Sequence, residues 1–307
     1  MGQEKKIILL AGPTASGKSK LAIKLAQHLN GEIINADSMQ IYKEISILTS
    51  RPSYKDVKNI KHHLYGVNSI KKKFSTGHWI KNVLKKIKEQ WSRGKTPIIV
   101  GGTGLYFKAL TDGLVKIPDI PNKLRIEIRE LHKKIGQKNF YIKLVKLDPM
   151  AKKFISESDS QRSMRAYEVK KFTGVSLFDL IKKTKSTFKQ KIFIKLFINT
   201  PKDLLNKKIE QRVNKMFDEG AIEEVKNFLK IKINKDLSSN KIIGIKEIKA
   251  YLDGRSTLRD TKELIAQKTR QYAKRQFTWS RGHMKSWKKL YSTNINDLYK
   301  KAINKIF

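Results

Sequence analysis

At 307 residues the chain is long enough for one large domain with an insertion or for two domains, and either arrangement can bury a proper core. Hydrophobic residues make up 39% and aromatics 9%, a globular composition with no apolar run near the ~18 residues of a membrane span, and the absence of cysteine excludes disulfides, thiolate chemistry and the usual structural zinc sites. A formal net charge of +40, from 67 Lys and Arg against 27 Asp and Glu, points to a polyanion, nucleic acid first.

That charge is mostly lysine in a chain also rich in Ile and Asn, which AT-rich codons would produce whatever the function, so the arginines are the more informative cations. The opening residues run into the first motif without a signal-peptide core, and Lys6 stands where myristoylation prefers Ser or Thr, so a soluble, cytoplasmic protein is expected. The run Lys6-Ile7-Ile8-Leu9-Leu10 reads as a strand. Gly12-Pro13-Thr14-Ala15-Ser16-Gly17-Lys18-Ser19 follows it and fits the phosphate-loop pattern at every fixed position. Leu21, Ala22, Leu25, Ala26 and Leu29 then recur at helical spacing. Strand, loop and helix in this order let backbone amides converge at the positive end of the helix dipole, a site for a diphosphate or triphosphate. Lys18 would add a point charge and Ser19 a hydroxyl for Mg²⁺.

A second strand, Glu32 to Ala36, delivers Asp37-Ser38-Met39-Gln40 to the ligand edge expected of a parallel sheet. There Asp37 could coordinate Mg²⁺, act as a general base, or cap a following helix. The stretch from Ile41 to Asn68 reads as loops and short helices, with His62 and His63 in a structural or surface role. After an amphipathic helix through Trp79, Val83 and Ile87, a third strand at Pro97-Ile98-Ile99-Val100 enters the glycine-rich turn Gly101-Gly102-Thr103-Gly104, a candidate second wall of the same pocket. From Asn122 to about Thr187 the periodicity is helical throughout, and Arg162 and Arg165 share one helix face, either solvated or clamping a phosphate or a base edge. Strand character returns from Lys191 to Ile198, and the next helix carries Arg212. In the tail, cations interleave with Tyr272, Gln276 and Trp279, which suits backbone neutralisation with base stacking, or simple docking of a last helix. The fold expected is α/β: a P-loop NTPase-like parallel-sheet core over 1–112 and 191–307 with a helical C-terminal region, and an inserted all-helical subdomain over 113–190.

Six pieces in register resemble the tRNA dimethylallyltransferase (tRNA isopentenyltransferase) family. They are the phosphate loop, Asp37-Ser38-x-Gln40-x-Tyr42, Gly101 to Tyr106, Leu147-Asp148-Pro149 with Asp159-x-Gln161-Arg162 and Arg165, Arg212-Val213-x-x-Met216 with Gly220, and Thr269-Arg270-x-Tyr272 to Trp279. The chain departs from the family where D-I-G-T-A-K-P is usual and Ser46-Ile47-Leu48-Thr49-Ser50-Arg51-Pro52 stands. The resemblance implies transfer of a dimethylallyl group from dimethylallyl diphosphate to N6 of the adenine just 3′ of the anticodon, in tRNAs reading codons that begin with U. It implies a monomer whose insertion grips the anticodon stem-loop. In that reading Asp37 and Thr103 are catalytic, and residues 12–19 with Arg212 hold diphosphate. Ser38, Met39, Gln40, Arg125, Gln161, Arg162, Ser163, Met164, Arg165, Lys274, Arg275, Gln276, Trp279 and Arg281 join Asp37 and Thr103 in holding tRNA. A kinase and a non-catalytic RNA-binding protein are the rival classes.

Overall fold

In a computed structural model of the chain, residues 5–53, 57, 60–234 and 236–307 are described. Short β-branched runs form β1 (Ile7–Ala11) and β2 (Gly31–Asn35), with the helix α1 (Lys18–His28) between them. There follow β3 (His62–His63), α2 (Thr76–Ser92), β4 (Thr96–Gly101) and α3 (Gly104–Thr111). After a helical excursion of α4 (Asn122–Leu147), α5 (Ala151–Phe154), α6 (Ser160–Thr173) and α7 (Leu177–Lys182), the sheet resumes with β5 (Phe193–Ile198). The remainder is α8 (Lys202–Asp218), α9 (Ala221–Lys230), α10 (Ile245–Leu252), α11 (Leu258–His283), β6 (Lys288–Leu290) and α12 (Ile295–Ile306).

The six strands form one parallel sheet in the order β3-β2-β4-β1-β5-β6, with Ile8 opposite Ile98 on one side and Ile194 on the other. Every β1 residue is buried, because helices cover both faces of the sheet and its alternating side chains split between two apolar layers. Ile8 and Leu10 pack with Leu21, Leu25 and Leu298 of α1 and α12, while Ile7 and Leu9 pack with Trp79, Val83, Ile87 and Phe107 of α2 and α3. The His62-His63 pair, expected in a loop, pairs with Ile33 and Ile34 as an edge strand. Two residues are too few to show a period. The same brevity hid β6.

Two compact units divide the chain. One comprises the residues up to Thr111 and from Phe188 onward; the other is Asp112–Thr187. The second unit is all-helical and closes around Ile128, Phe140, Leu144, Ala166, Tyr167 and Phe178. Gly136, at φ 73°, breaks α4 within this unit. Asp148 is buried there, accepting from the Ser176 hydroxyl at 2.8 Å and the Met150 amide at 3.2 Å, so it acts as a staple between α4 and α7.

In the first unit a third apolar cluster joins α8, α9, α10 and α11 to Ile41, Ile45 and Leu48. The Ser46 to Leu48 turn, where the family pattern is broken, is held by one carboxylate: Glu224 accepts from the amides of Ser46, Ile47 and Leu48 at 2.6, 2.8 and 2.9 Å. At the sheet edge Glu32 accepts two hydrogen bonds from Arg93 at 2.7 and 2.8 Å and sits 2.7 Å from His63 Nε2. Burial alone would raise the Glu32 carboxyl, but the Arg93 and His63 hydrogen bonds outweigh it and hold the group below the ordinary range.

Glu224→Ala should lower folding stability by about 3 kcal/mol, the range for hydrogen bonds to a charged group, as read from the urea midpoint, whereas Glu224→Gln keeps part of it. Glu32→Gln removes a carboxylate stabilised in its ionised form. Its cost should be full at neutral pH, above the unfolded value of about 4.3, and should fade as pH falls through the depressed folded value. Urea unfolding of both proteins between neutral and acid pH checks this, and a gap that fails to narrow contradicts it.

Candidate active site

β1, β2 and β4 are adjacent and parallel, so the turns that leave them open on one edge of the sheet. The turn after β1 is the phosphate loop, with Ala15 in the left-handed region at φ 60° and Gly17 preceding the first turn of α1. Lys18 folds back over this loop and donates to the Pro13 carbonyl at 2.8 Å. Burial pulls its ammonium down to about 8; Arg212 pushes the same way and the Asp37 carboxylate opposes both. Thr14 is held twice, its amide donating to Gln276 Oε1 at 2.9 Å and its hydroxyl accepting from Arg212 Nη1 at 2.9 Å. Arg212 Nη2 also donates to the Thr49 carbonyl at 3.2 Å, so an α8 side chain reaches the loop. The Ser16 hydroxyl and Arg212 Nε are buried without a hydrogen-bond partner among the described residues. Ser19 is exposed.

At the end of β2 the fully buried Asn35 fixes the next turn, accepting from the Asp37 amide at 2.8 Å and donating to the carbonyls of Asp37 and Leu64 at 2.9 and 3.0 Å. One Asp37 oxygen accepts from the Met39 amide at 2.9 Å. No helix follows, so the cap open to Asp37 from its sequence is a turn cap rather than a helix cap. Its negative charge works upward on Lys18, Arg212 and the Tyr272 hydroxyl, against burial in the first two and with it in the third. Ser38 donates its amide to the Thr103 hydroxyl at 2.9 Å and Gln40 donates to the carbonyls of Thr49 and Ser50 at 2.9 and 3.0 Å, while Met39 packs against the neighbouring apolar cluster.

The turn after β4 needs glycine because the chain runs against its neighbours: a Cβ at Gly101 would strike the Ala36 carbonyl, and one at Gly104 would strike the Trp279 ring. α11 crosses above these turns. Gln276 donates to the Gly102 carbonyl at 3.0 Å with the same amide group that accepts from Thr14. Tyr272 lies one turn before it, its hydroxyl pushed above the ordinary range by burial and by Asp37, with Thr103 and Gln276 as hydrogen-bond neighbours. Beside them is a cavity of about 230 Å³ lined by Leu105, Phe107, Phe197, Arg275, Trp279 and Met284 among others. The 26-residue helix therefore presents Tyr272, Arg275, Gln276 and Trp279 to this cavity, whereas Lys274 and Arg281 line a different and larger groove.

The structure thus gathers the phosphate loop, Arg212, Asp37, Thr103 and Gln276, brings in Tyr272, which the sequence had offered for base stacking or helix docking, and adds Asn35 and Thr49, which sequence reasoning passed over. Asn35 lay inside an apolar strand and Thr49 contributes only a backbone carbonyl. In the second unit Gln161 and Arg162 are exposed on the first turn of α6, capped by Asp159, which accepts from the Arg162 amide at 3.0 Å. Arg165 pairs with Glu168 at 3.1 Å, Met164 packs against that unit's core, and Arg125 is half-buried with its Nε lacking a hydrogen-bond partner among the described residues. Ser163 corrects the reading of an RNA-facing residue: its side chain is fully buried, accepting from Gln137 at 3.3 Å, because position 163 falls on the inner stripe of α6.

The family model described as IPP transferase matches residues 40–283. The chain is 53% identical over 301 residues to the tRNA dimethylallyltransferase of Pelagibacter ubique, covering 98% of this chain and 96% of that one, and 46% identical to the enzyme of the same name from Rickettsia canadensis, covering 92% and 87%. Among solved structures, the tRNA isopentenylpyrophosphate transferase of Staphylococcus epidermidis aligns with a TM-score of 0.69 at 28% identity over 99% of both chains. A eukaryotic dimethylallyltransferase described as acting on tRNA aligns with a TM-score of 0.85 at 29% identity over 99% of this chain and 78% of that one. With the phosphate loop, the Asp37 turn and the Thr103 turn on one sheet edge, and a family match over most of its length, this chain belongs to the IPP transferase family.

Proposed function

We propose that the chain transfers a dimethylallyl group from dimethylallyl diphosphate to N6 of the adenine immediately 3′ of the anticodon, in tRNAs that read codons beginning with U, and releases diphosphate. The observation that carries this reading is that the phosphate loop, whose Thr14 hydroxyl accepts from Arg212, and the Asp37 turn, tied through the Ser38 amide to the Thr103 hydroxyl, open on one edge of the sheet. Leaving-group and nucleophile chemistry then share one pocket. As the allylic C–O bond breaks, negative charge builds on diphosphate; the loop amides, Lys18 and Arg212 are fixed cations and dipoles that meet it. The largely apolar cavity next to the Thr103 turn suits a short branched prenyl group. As the new bond forms between N6 and the allylic carbon, the N6 proton passes to Asp37, whose turn is locked by Asn35. Thr103, tied to the Ser38 amide, stands beside the reacting groups. A stacked adenine cannot reach such a pocket, so the base is flipped out of the loop.

The donor set suits Mg²⁺. Ser19 offers a hard, exposed oxygen, and no cluster of three or more His, Cys, Asp or Glu among the described residues forms an all-protein cage. Ser19 and the substrate phosphates would therefore hold the ion, which supplies positive charge to the leaving diphosphate when bound. The remaining tRNA contacts in this reading come from the exposed Gln161 and Arg162 of the helical unit. One chain carries every turn of the site, which supports a monomer, and a tRNA substrate supports a cytoplasmic location. No helix among the described residues is long and apolar enough to cross a membrane.

Mass spectrometry of tRNA incubated with the protein and dimethylallyl diphosphate tests the reading. One prenyl unit on the adenosine 3′ of the anticodon is expected; unmodified tRNA with consumption of ATP instead would point to a kinase. In single-turnover assays Asp37→Ala should keep tRNA affinity and lose ~10² to 10⁴ in rate, the range of a lost general base. Because Lys18 titrates near 8 in the free protein, donor affinity should be highest below that pH and fall as pH rises through it. Calorimetry with a non-reactive thiodiphosphate donor should show this slope in the wild type and none in Lys18→Arg, whose guanidinium stays charged.

A further inference from the structure

Within the described residues two hydrogen bonds hold the Arg212 guanidinium, from Nη1 to the Thr14 hydroxyl at 2.9 Å and from Nη2 to the Thr49 carbonyl at 3.2 Å. Its Nε is buried with no such partner among them. A planar guanidinium anchored at two points has its plane fixed, whereas one anchored at a single point swings about that bond. The place of the Thr49 carbonyl therefore sets the aim of Arg212. That carbonyl belongs to a turn whose first three amides point one way, those of Ser46, Ile47 and Leu48 converging on Glu224 of α9 at 2.6, 2.8 and 2.9 Å. The Ser46 hydroxyl donates to the same carboxylate at 3.2 Å. Within the turn the Thr49 hydroxyl donates to the Ile45 carbonyl and the Ser50 amide to the Ile47 carbonyl, both at 2.9 Å. Ser50 stands at φ 44°, a left-handed backbone that a serine keeps only where its surroundings over-determine it. Gln40 steadies the near end of the turn, donating to the Thr49 and Ser50 carbonyls at 2.9 and 3.0 Å. The far end rests on Glu224.

We propose that Glu224 is a positioning residue for prenyl transfer, acting through the turn from Ser46 to Thr49 to hold Arg212 where the diphosphate of the donor binds; this rests on the reading of Arg212 as a diphosphate ligand. The relay runs from carboxylate to turn amides, from the turn to the Thr49 carbonyl, and from that carbonyl to the guanidinium. Each end of it is a hydrogen bond in the structure. Without the carboxylate, three amides that converge on one acceptor lose it together, and they must turn toward water or other partners. The Thr49 carbonyl moves with them. A misplacement of about 1 Å by a change far from the chemistry can cost about 10²-fold. The requirement is for two oxygens: Oε1 accepts from Ser46 and Ile47 and Oε2 from Leu48. A glutamine amide satisfies the first pair and sets an NH₂ against the Leu48 amide.

The test is a double-mutant cycle of Glu224→Gln and Arg212→Lys in the full chain, read as calorimetric affinity for dimethylallyl thiodiphosphate, with the thermal midpoint as a folding control. Arg212→Lys keeps the charge and gives up the two-point anchor, so donor binding stays measurable. Glu224→Gln should weaken donor binding about tenfold in the Arg212 background and less than about twofold in the Arg212→Lys background, a coupling of the size found within one hydrogen-bond network. A merely structural role for Glu224 lowers donor affinity by the same factor in both backgrounds, and that result overturns the proposal. So does a folded Glu224→Gln protein that binds the donor as the wild type does. A wild type that binds no thiodiphosphate removes the reading of the pocket and the proposal together, whereas wild-type binding without the coupling removes the proposal alone.

Discussion

A single side-chain amide ties the two glycine-rich turns of this protein together. Gln276 accepts from the Thr14 amide in the phosphate loop and donates to the Gly102 carbonyl in the turn after β4, from a helix that begins 18 residues earlier in the chain. The parallel sheet makes that bridge possible, because β1 and β4 are hydrogen-bonded neighbours and end on the same edge. The absence of a Cβ at Gly102 leaves room for the Gln276 amide to lie against the turn. Once these two turns are fixed to α11, the Thr103 hydroxyl holds the Ser38 amide and thereby the Asp37 turn. The pocket is thus a chain of hydrogen bonds running from one strand end to the next, with few degrees of freedom left to lose when a substrate arrives.

Charge is arranged with the same economy. A net charge of +40 is mostly lysine, yet in the pocket two buried cations, Lys18 and Arg212, feel one carboxylate. Burial lowers Lys18 and Arg212, and Asp37 counters the effect on both. A diphosphate entering the loop brings negative charge that these cations lack in the free protein. Binding therefore favours their charged forms at the place where the leaving group forms. One helix carries a polar, hydrogen-bonded face toward the turns and a basic face away from them.

Much of the fold was legible because strong local patterns agreed with the tertiary structure. β1, β2, β4 and β5 are apolar runs next to turn residues, and covering both faces of the sheet is what makes such runs continuous. β3 and β6, at two and three residues, are specified by their neighbours rather than by their own composition, and Lys288-Lys289 carries no strand signal at all. In the site, the phosphate loop and the Asp37 and Thr103 turns announced themselves by motif. Glycine spacing could not reveal that Glu224 had taken over the Ser46 to Leu48 turn, since the two lie 176 residues apart at their nearest bond. The inner stripe of α6 was likewise unreadable where charged and small residues alternate, and Ser163 proved to face inward, whereas on α11 the helical spacing does separate Tyr272, Gln276 and Trp279 from Lys274 and Arg281, which line a groove of their own.

In the proposed reaction one sheet edge holds the leaving diphosphate in the phosphate loop, with the Asp37 carboxylate facing the N6 amine that attacks the allylic carbon. A crystal structure with dimethylallyl thiodiphosphate measures this most directly. The account predicts diphosphate oxygens within hydrogen-bonding distance of Lys18 and Arg212, and the prenyl group extending past Thr103 toward Asp37. Density for the diphosphate anywhere other than the phosphate loop, or a prenyl group on the far side of it from Asp37, would contradict it.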